Sequence, residues 1–186
     1  MNPDTYQQAA LRTESHPDSF NRRRIRLTHA LFGMMGEIGE LAEAIEKRDP
    51  VNIMEEVGDF LWYFAIGLDS QGKRLSHVEV QPYMVKAYPY SSTNFIHDLT
   101  IIYGNYVDAW KGLIYYERIP DRDVVLSLER QILLHLRVVL ARFDITYEQC
   151  LAKNIAKLQA RFPEKFEHHR ARNRDLKAER EVLEGR

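Results

Sequence analysis

Between Leu27 and Leu68 the apolar residues recur at steps of three and four, and the rhythm breaks once, at Asp49-Pro50. One helical face runs through Leu27, Leu31, Met34, Ile38, Leu41 and Ile45, and a second through Ile53, Val57, Leu61, Phe64 and Leu68. Asp49-Pro50 both stops the first helix and starts the next, with Asp as N-cap and Pro at the first helical position. Two long helices joined by so short a turn must lie antiparallel and side by side.

The rest of the chain repeats this theme. Leu99, Tyr103, Tyr106, Trp110 and Leu113 mark a third helix that stops near Ile119-Pro120, and Val125, Leu128, Ile132, Leu136, Val139 and Phe143 mark a fourth. Thr146 with Gln149 three residues on has the pattern of a capping box, opening a helix that buries Leu151, Ile155 and Leu158 and ends at Phe162-Pro163. Residues 71–93 contain Gly72, Pro82 and Pro89 without a sustained period, so they read as a long loop, functional (a lid, for instance) or mobile. Residues 170–186 mix both charges with almost no apolar face and read as a charged C-terminal helix or tail. No strand signal competes. The expectation is an all-α antiparallel bundle of about five to six helices, with one domain spanning 1–169.

A weak internal repeat lays Gly36–Ile45 over Gly104–Leu113 and Glu56–Asp59 over Glu129–Ile132, if the second loop is longer by five residues. In that alignment one hairpin keeps four carboxylates, and the other has Asn105, Asp108, Glu129 and Ile132 in their places.

Composition narrows the classes. Lys+Arg total 26 against Asp+Glu 27, so no global field favours nucleic acid or an anionic membrane. The single Cys150 excludes a disulfide framework and a cysteine-based zinc site. The longest apolar run, Phe60–Leu68, is far too short to span a bilayer, and the N-terminus lacks the pattern of a signal peptide. A soluble, cytoplasmic protein is expected.

Glu37 and Glu40 sit three apart on the first long helix, and Glu56 and Asp59 do the same on its antiparallel neighbour. Each acid adjoins a residue of the apolar stripe, so four carboxylates should converge along the seam between the two helices. Like charges in a partly dry seam are strongly unfavourable without a counter-charge. A bound divalent cation removes the problem, and the all-oxygen ligand set favours Mg²⁺, with Mn²⁺ as substitute, over zinc or copper. Solvated surface acids are the bland alternative. Gly36, Gly39 and Gly58 argue against it, since each costs about 1 kcal/mol inside a helix and together they flank the acids as though close approach were needed. A di-iron bundle would require a Glu-x-x-His pair on a core face, which neither acidic pair provides.

Asn154, Lys157 and Arg161 form a polar line beside the apolar line of the last clear helix, where Lys and Arg could hold phosphate oxygens. Lys111, among Trp110, Tyr115 and Tyr116, is either a phosphate ligand or a lysine whose stem packs on rings. The basic cluster Arg22, Arg23, Arg24 and Arg26 reads as a solvated charge run rather than a nucleic-acid contact, and His29 as a core histidine.

Together these residues resemble the MazG-like all-α nucleoside triphosphate pyrophosphohydrolases, a group that includes the dimeric dUTPase-like branch. The resemblance rests on Leu31-Phe-Gly-Met-Met-Gly-Glu-Ile-Gly-Glu-Leu41, on Glu55-Glu-Val-Gly-Asp-Phe-Leu-Trp-Tyr63, and on the ending Asn154-Ile-Ala-Lys-Leu-Gln-Ala-Arg-Phe-Pro163. It implies Mg²⁺-dependent hydrolysis of (deoxy)nucleoside triphosphates between the α and β phosphorus atoms, giving monophosphate and pyrophosphate, in house-cleaning or nucleotide-pool control. Glu37, Glu40, Glu56 and Asp59 would carry the metal and the catalysis. Lys157 and Arg161, with Lys111, would neutralise charge on the leaving pyrophosphate, and Asn154 would orient a phosphate or sugar oxygen. A homodimer or homotetramer is implied as well. One departure stands out: many relatives read Glu-Glu-x-x-Glu, and the first of those acids, a candidate general base, is here Gly36. The base is then another cluster acid such as Glu40 or Glu55, or the metal alone activates water. The competing reading is a catalytically silent nucleotide- or partner-binding helical protein.

Overall fold

The computed structural model of the protein describes residues 1–15, 22–88 and 95–185. Among them are nine α-helices and no strand: α1 (Pro3–Leu11), α2 (Arg22–Lys47), α3 (Pro50–Ser70), α4 (Pro82–Ala87), α5 (Phe95–Tyr116), α6 (Arg122–Arg142), α7 (Tyr147–Arg161), α8 (His168–Arg172) and α9 (Leu176–Glu184). The all-α expectation holds. The helix number exceeds it because α1, α4, α8 and α9 are short, and one or two turns carry too few apolar repeats to register as a period.

The chain divides into two compact units, one of residues 1–75 with 145–186, the other of residues 76–144. In the first, α3 is the central element. It buries Ile53, Val57, Phe60, Leu61, the run Phe64–Leu68 and Ser70, so apolar contact surrounds it rather than marking one stripe. Helices α1, α2, α7 and α9 all pack on it, α2 most extensively. Each large side chain buried here contributes about 1.5–3 kcal/mol relative to exposure. The Asp49 carboxylate accepts from the backbone N–H of Val51 and Asn52, and Pro50 occupies the first turn, as the sequence indicates. The capping box of Thr146 and Gln149 on α7 is formed at both ends.

In the second unit α5 and α6 form a hairpin, and α4 packs on α6. Residues 71–93 were expected to be a loop; instead Leu75–Val78 form a 3₁₀ turn and Pro82–Ala87 form α4, with Pro82 in its first turn. Residues 89–93 lie outside the described ones. In the C-terminal stretch, α9 packs against other helices of the first unit. Asp175 caps α9 by accepting from the Ala178 N–H, Leu183 and Glu179 are buried, and Lys153 of α7 donates to the Val182 carbonyl at 2.8 Å. Of the basic cluster, Arg26 is structural: its guanidinium meets Glu14 and Asp69, each at 2.7 Å, on the first unit.

Candidate functional site

Antiparallel packing of α2 and α3 brings Glu37, Glu56 and Asp59 together, with one carboxylate oxygen from each within 4.8 Å of the others. Glu40, one turn beyond Glu37 on α2, is exposed and stands outside that trio, so the four-acid convergence becomes three acids with a fourth at the rim. Burial, reinforced by the charges of Asp59, Glu40 and Glu56, pushes Glu37 up to about 9. Burial and the charges of Asp59, Glu55 and Glu40 push Glu56 up to about 7. Both acids hold protons more tightly than ordinary carboxylates because a second and third charge cannot be accommodated there unaided. Hard oxygen donors at this spacing, short of positive charge, fit a divalent cation such as Mg²⁺ or Mn²⁺.

Among the described residues, a buried cation reaches the cluster. Lys157 of α7 is fully buried, its Nζ donating to Asp59 Oδ2 at 2.5 Å and to Glu55 Oε1 at 3.1 Å. Burial alone would lower this ammonium's pKa, but the fields and hydrogen bonds of Asp59 and Glu55 outweigh it and raise the value. Asn154, also buried, donates from Nδ2 to Asp59 Oδ1 at 2.9 Å and accepts at Oδ1 from the Tyr6 hydroxyl at 2.9 Å. Tyr6 therefore fixes which end of the Asn154 amide faces Asp59. Both oxygens of Asp59 are held, one by an amide and one by an ammonium.

Gly58 allows this approach. A Cβ there would lie 2.9 Å from the Asn154 Cβ, so α7 could not sit where it does against α3. Gly33 is equally constrained, by the Tyr63 ring. The expectation of close approach fails at Gly36 and Gly39, where a Cβ would meet nothing within 4 Å.

Beside the cluster lies a cavity of about 240 Å³, onto which Glu37, Asp59, Trp62, Tyr63, Arg161 and Arg174 open. His29 stands edge-on to Trp62 and Tyr63, with ring centroids 6.0 and 5.3 Å away, so it belongs to the cavity wall rather than the core. Burial lowers its pKa, which favours the neutral imidazole. The Trp62 indole N–H is occupied by the Thr13 hydroxyl at 2.9 Å and the Ala10 carbonyl at 3.1 Å, which fixes the ring face at the cavity.

The proposed phosphate-binding residues divide. Asn154 and Lys157 reach the acidic cluster itself, and Arg161 lines the cavity. Lys111 lies on α5 in the second unit, exposed and ion-paired with Asp108. Three participants carried no usable signal in the sequence, Tyr6 on α1 and Arg174 with Glu179 at the C-terminus, because their elements are short; Glu55, a candidate base in the sequence, is engaged by Lys157.

The fold and site define an all-helical protein with a carboxylate cluster on a helical hairpin and an aromatic and cationic cavity beside it. Residues 27–79, which span α2, α3 and the 3₁₀ turn, match the family model of the MazG nucleotide pyrophosphohydrolase domain. The chain is thus MazG-like over that stretch, a little over a quarter of its length, and the match supports a hydrolase acting on nucleoside triphosphates. No curated protein and no solved structure matches the chain. Among the described residues no helix is long and apolar enough to cross a membrane.

Proposed function

We propose that the protein hydrolyses (deoxy)nucleoside triphosphates between the α and β phosphorus atoms, releasing nucleoside monophosphate and pyrophosphate. The convergence of Glu37, Glu56 and Asp59, two of them with raised pKa values, is the observation that carries this reading. These three residues would hold Mg²⁺, with Mn²⁺ as a substitute and Glu40 at the rim. The bound ion supplies Lewis-acid polarisation of phosphate oxygens and a lowered pKa for water.

The chain's own residues do the rest. Lys157 and Asn154 hold Asp59 in one orientation, so its carboxylate need not reorganise when substrate arrives. Glu55 is engaged by Lys157, which leaves Glu40, exposed and one turn from Glu37, as the acid best placed to accept the proton of the attacking water. Trp62, Tyr63 and His29 line the cavity with rings that a nucleobase could stack on, and Arg161, which lines the same cavity, meets phosphate charge. Assembly as a homodimer or homotetramer fits the outer face of α2, where Phe32 and Met35 are exposed. A cytoplasmic setting fits the one cysteine, Cys150, which is buried and free.

Gly36, standing where many relatives have an acid, favours a second reading: a silent nucleotide-binding protein. Incubation of the purified chain with a panel of ribo- and deoxyribonucleoside triphosphates, with Mg²⁺ or with chelator, separates the two. Monophosphate with pyrophosphate, formed only with the metal, is expected. Diphosphate with phosphate would contradict the scissile bond, and binding without product would establish the silent protein.

A further inference from the structure

The C-terminal segment brings to the cavity a charge pair that lies well outside the 27–79 match. Arg174, between α8 and α9, opens onto the same cavity as Glu37 and Asp59, and Arg161 enters it from the end of α7. Glu179 of α9, 4% exposed, ties the two together. Its Oε1 accepts from Arg161 Nε at 2.8 Å, while its Oε2 accepts from Arg161 Nη2 at 2.5 Å and from Arg174 Nη2 at 2.7 Å. One carboxylate therefore serves two guanidiniums and leaves a net positive charge at that wall. Arg161 Nη1 and Arg174 Nε and Nη1 make no further hydrogen bond among the described residues, so each fork keeps donors to offer.

The cavity is thus lined both by carboxylates suited to a divalent cation and by paired guanidiniums. A polyphosphate bound to that cation needs such a wall, because its outlying oxygens carry charge that the cation does not reach. Resting on the proposed function above, we infer that Arg174 is a phosphate-binding residue of this site. Glu179 is the positioning residue that holds Arg161 and Arg174 toward the acids. The hydrogen bonds from the two arginines overcome the effect of burial and hold Glu179 down at about 2, so the anchor stays ionised at any working pH.

The test is calorimetric titration of the full chain with inorganic pyrophosphate in Mg²⁺, paired with triphosphate kinetics. Arg174→Ala alters a partly exposed side chain and should fold normally. It is expected to weaken pyrophosphate binding by about ten- to a hundredfold, the range of a charged hydrogen-bond pair, and to raise KM more than it lowers kcat. Arg170→Ala, whose partner is the exposed Glu167, should bind as the unaltered protein does. Glu179→Ala should lose affinity, and Glu179→Asp should recover part of it. Equal binding by the unaltered protein and Arg174→Ala would overturn the assignment, as would an unaltered protein that does not bind pyrophosphate. Tighter binding by Glu179→Ala would show that Glu179 competes with substrate rather than positioning the arginines. Pyrophosphate binding that needs Arg174, in a protein that turns over no triphosphate, would remove the proposed reaction and leave this site standing.

Discussion

The two helical hairpins are built alike and equipped differently. In each, the turn after the first helix contains a residue with positive φ, Arg48 at 52° and Glu117 at 55°, and an aspartate, Asp49 or Asp121, caps the second helix. The α2–α3 hairpin turns three carboxylates into its seam and receives the buried Lys157 there. At the positions aligned with its four acids, the α5–α6 hairpin has Asn105 and Asp108 exposed, Glu129 buried with the Tyr106 hydroxyl at 3.5 Å, and Ile132 in the core. A cavity of about 570 Å³ lies beside α6, lined by Val80, Met84, Leu126 and Arg130 among others, and no cluster of three acids lines it among the described residues. A hairpin and a cavity do not make a site. Convergent like charges with a partner to orient them do.

The largest effect should come from Glu37→Gln. Turnover is expected to fall by at least about a thousandfold, or about 4 kcal/mol of barrier, measured under saturating triphosphate. The same variant should melt higher than the unaltered protein when both are metal-free at pH 8. A carboxyl raised from its ordinary value to about 9 contributes its full stability only at low pH, and the contribution is lost as pH rises toward 9. Gln removes that loss, so a lower melting point would argue against a strained acidic cluster.

Lys157→Ala comes next. It strips counter-charge from Asp59 and Glu55 at a fully buried position, and denaturant unfolding should show a loss of about 3–5 kcal/mol. Gly58→Ala should cost about 1–3 kcal/mol by forcing α7 away from α3. The aligned position in the other hairpin, Gln131, is exposed, and Gln131→Ala should change stability by no more than about 0.5 kcal/mol. The smallest effect belongs to Asp108→Asn, which removes an exposed pair with Lys111. The melting temperature should not move measurably, because an exposed pair contributes little, and turnover should be unchanged; a large loss of activity would mean that the second hairpin carries chemistry after all.

Sequence made the α2–α3 seam legible because spacing on a helix is spacing on a face. Glu37, Glu56 and Asp59 could be placed together from steps of three and from the break at Asp49-Pro50. The direction of Lys157 was not legible. Its position beside Leu158 set it at the edge of the stripe, and only the packing of α7 against Gly58 carries its ammonium into the acids. Glycine misled at positions 36 and 39, since a missing side chain looks the same whether it clears a neighbour or faces open space. Tyr6, Arg174 and Glu179 were invisible for a different reason: α1 and α9 are nine residues each, too short to show a period, and Tyr6 meets Asn154 from the far end of the chain. The mixed charges of the last segment read as a charged helix or tail, whereas one of them, Glu179, is buried and ion-paired with Arg161 and Arg174.

The claim that the seam acids form a divalent cation site is tested most directly by calorimetric titration of Mn²⁺ into metal-free protein at pH 8, in two buffers of different ionisation enthalpy. At that pH Glu37 holds its proton without the ion, so binding should be saturable and should release protons. Glu37→Gln should abolish the proton release and weaken the binding, and Asp108→Asn should leave both unchanged. No saturable binding, or binding undiminished in Glu37→Gln, would contradict the assignment.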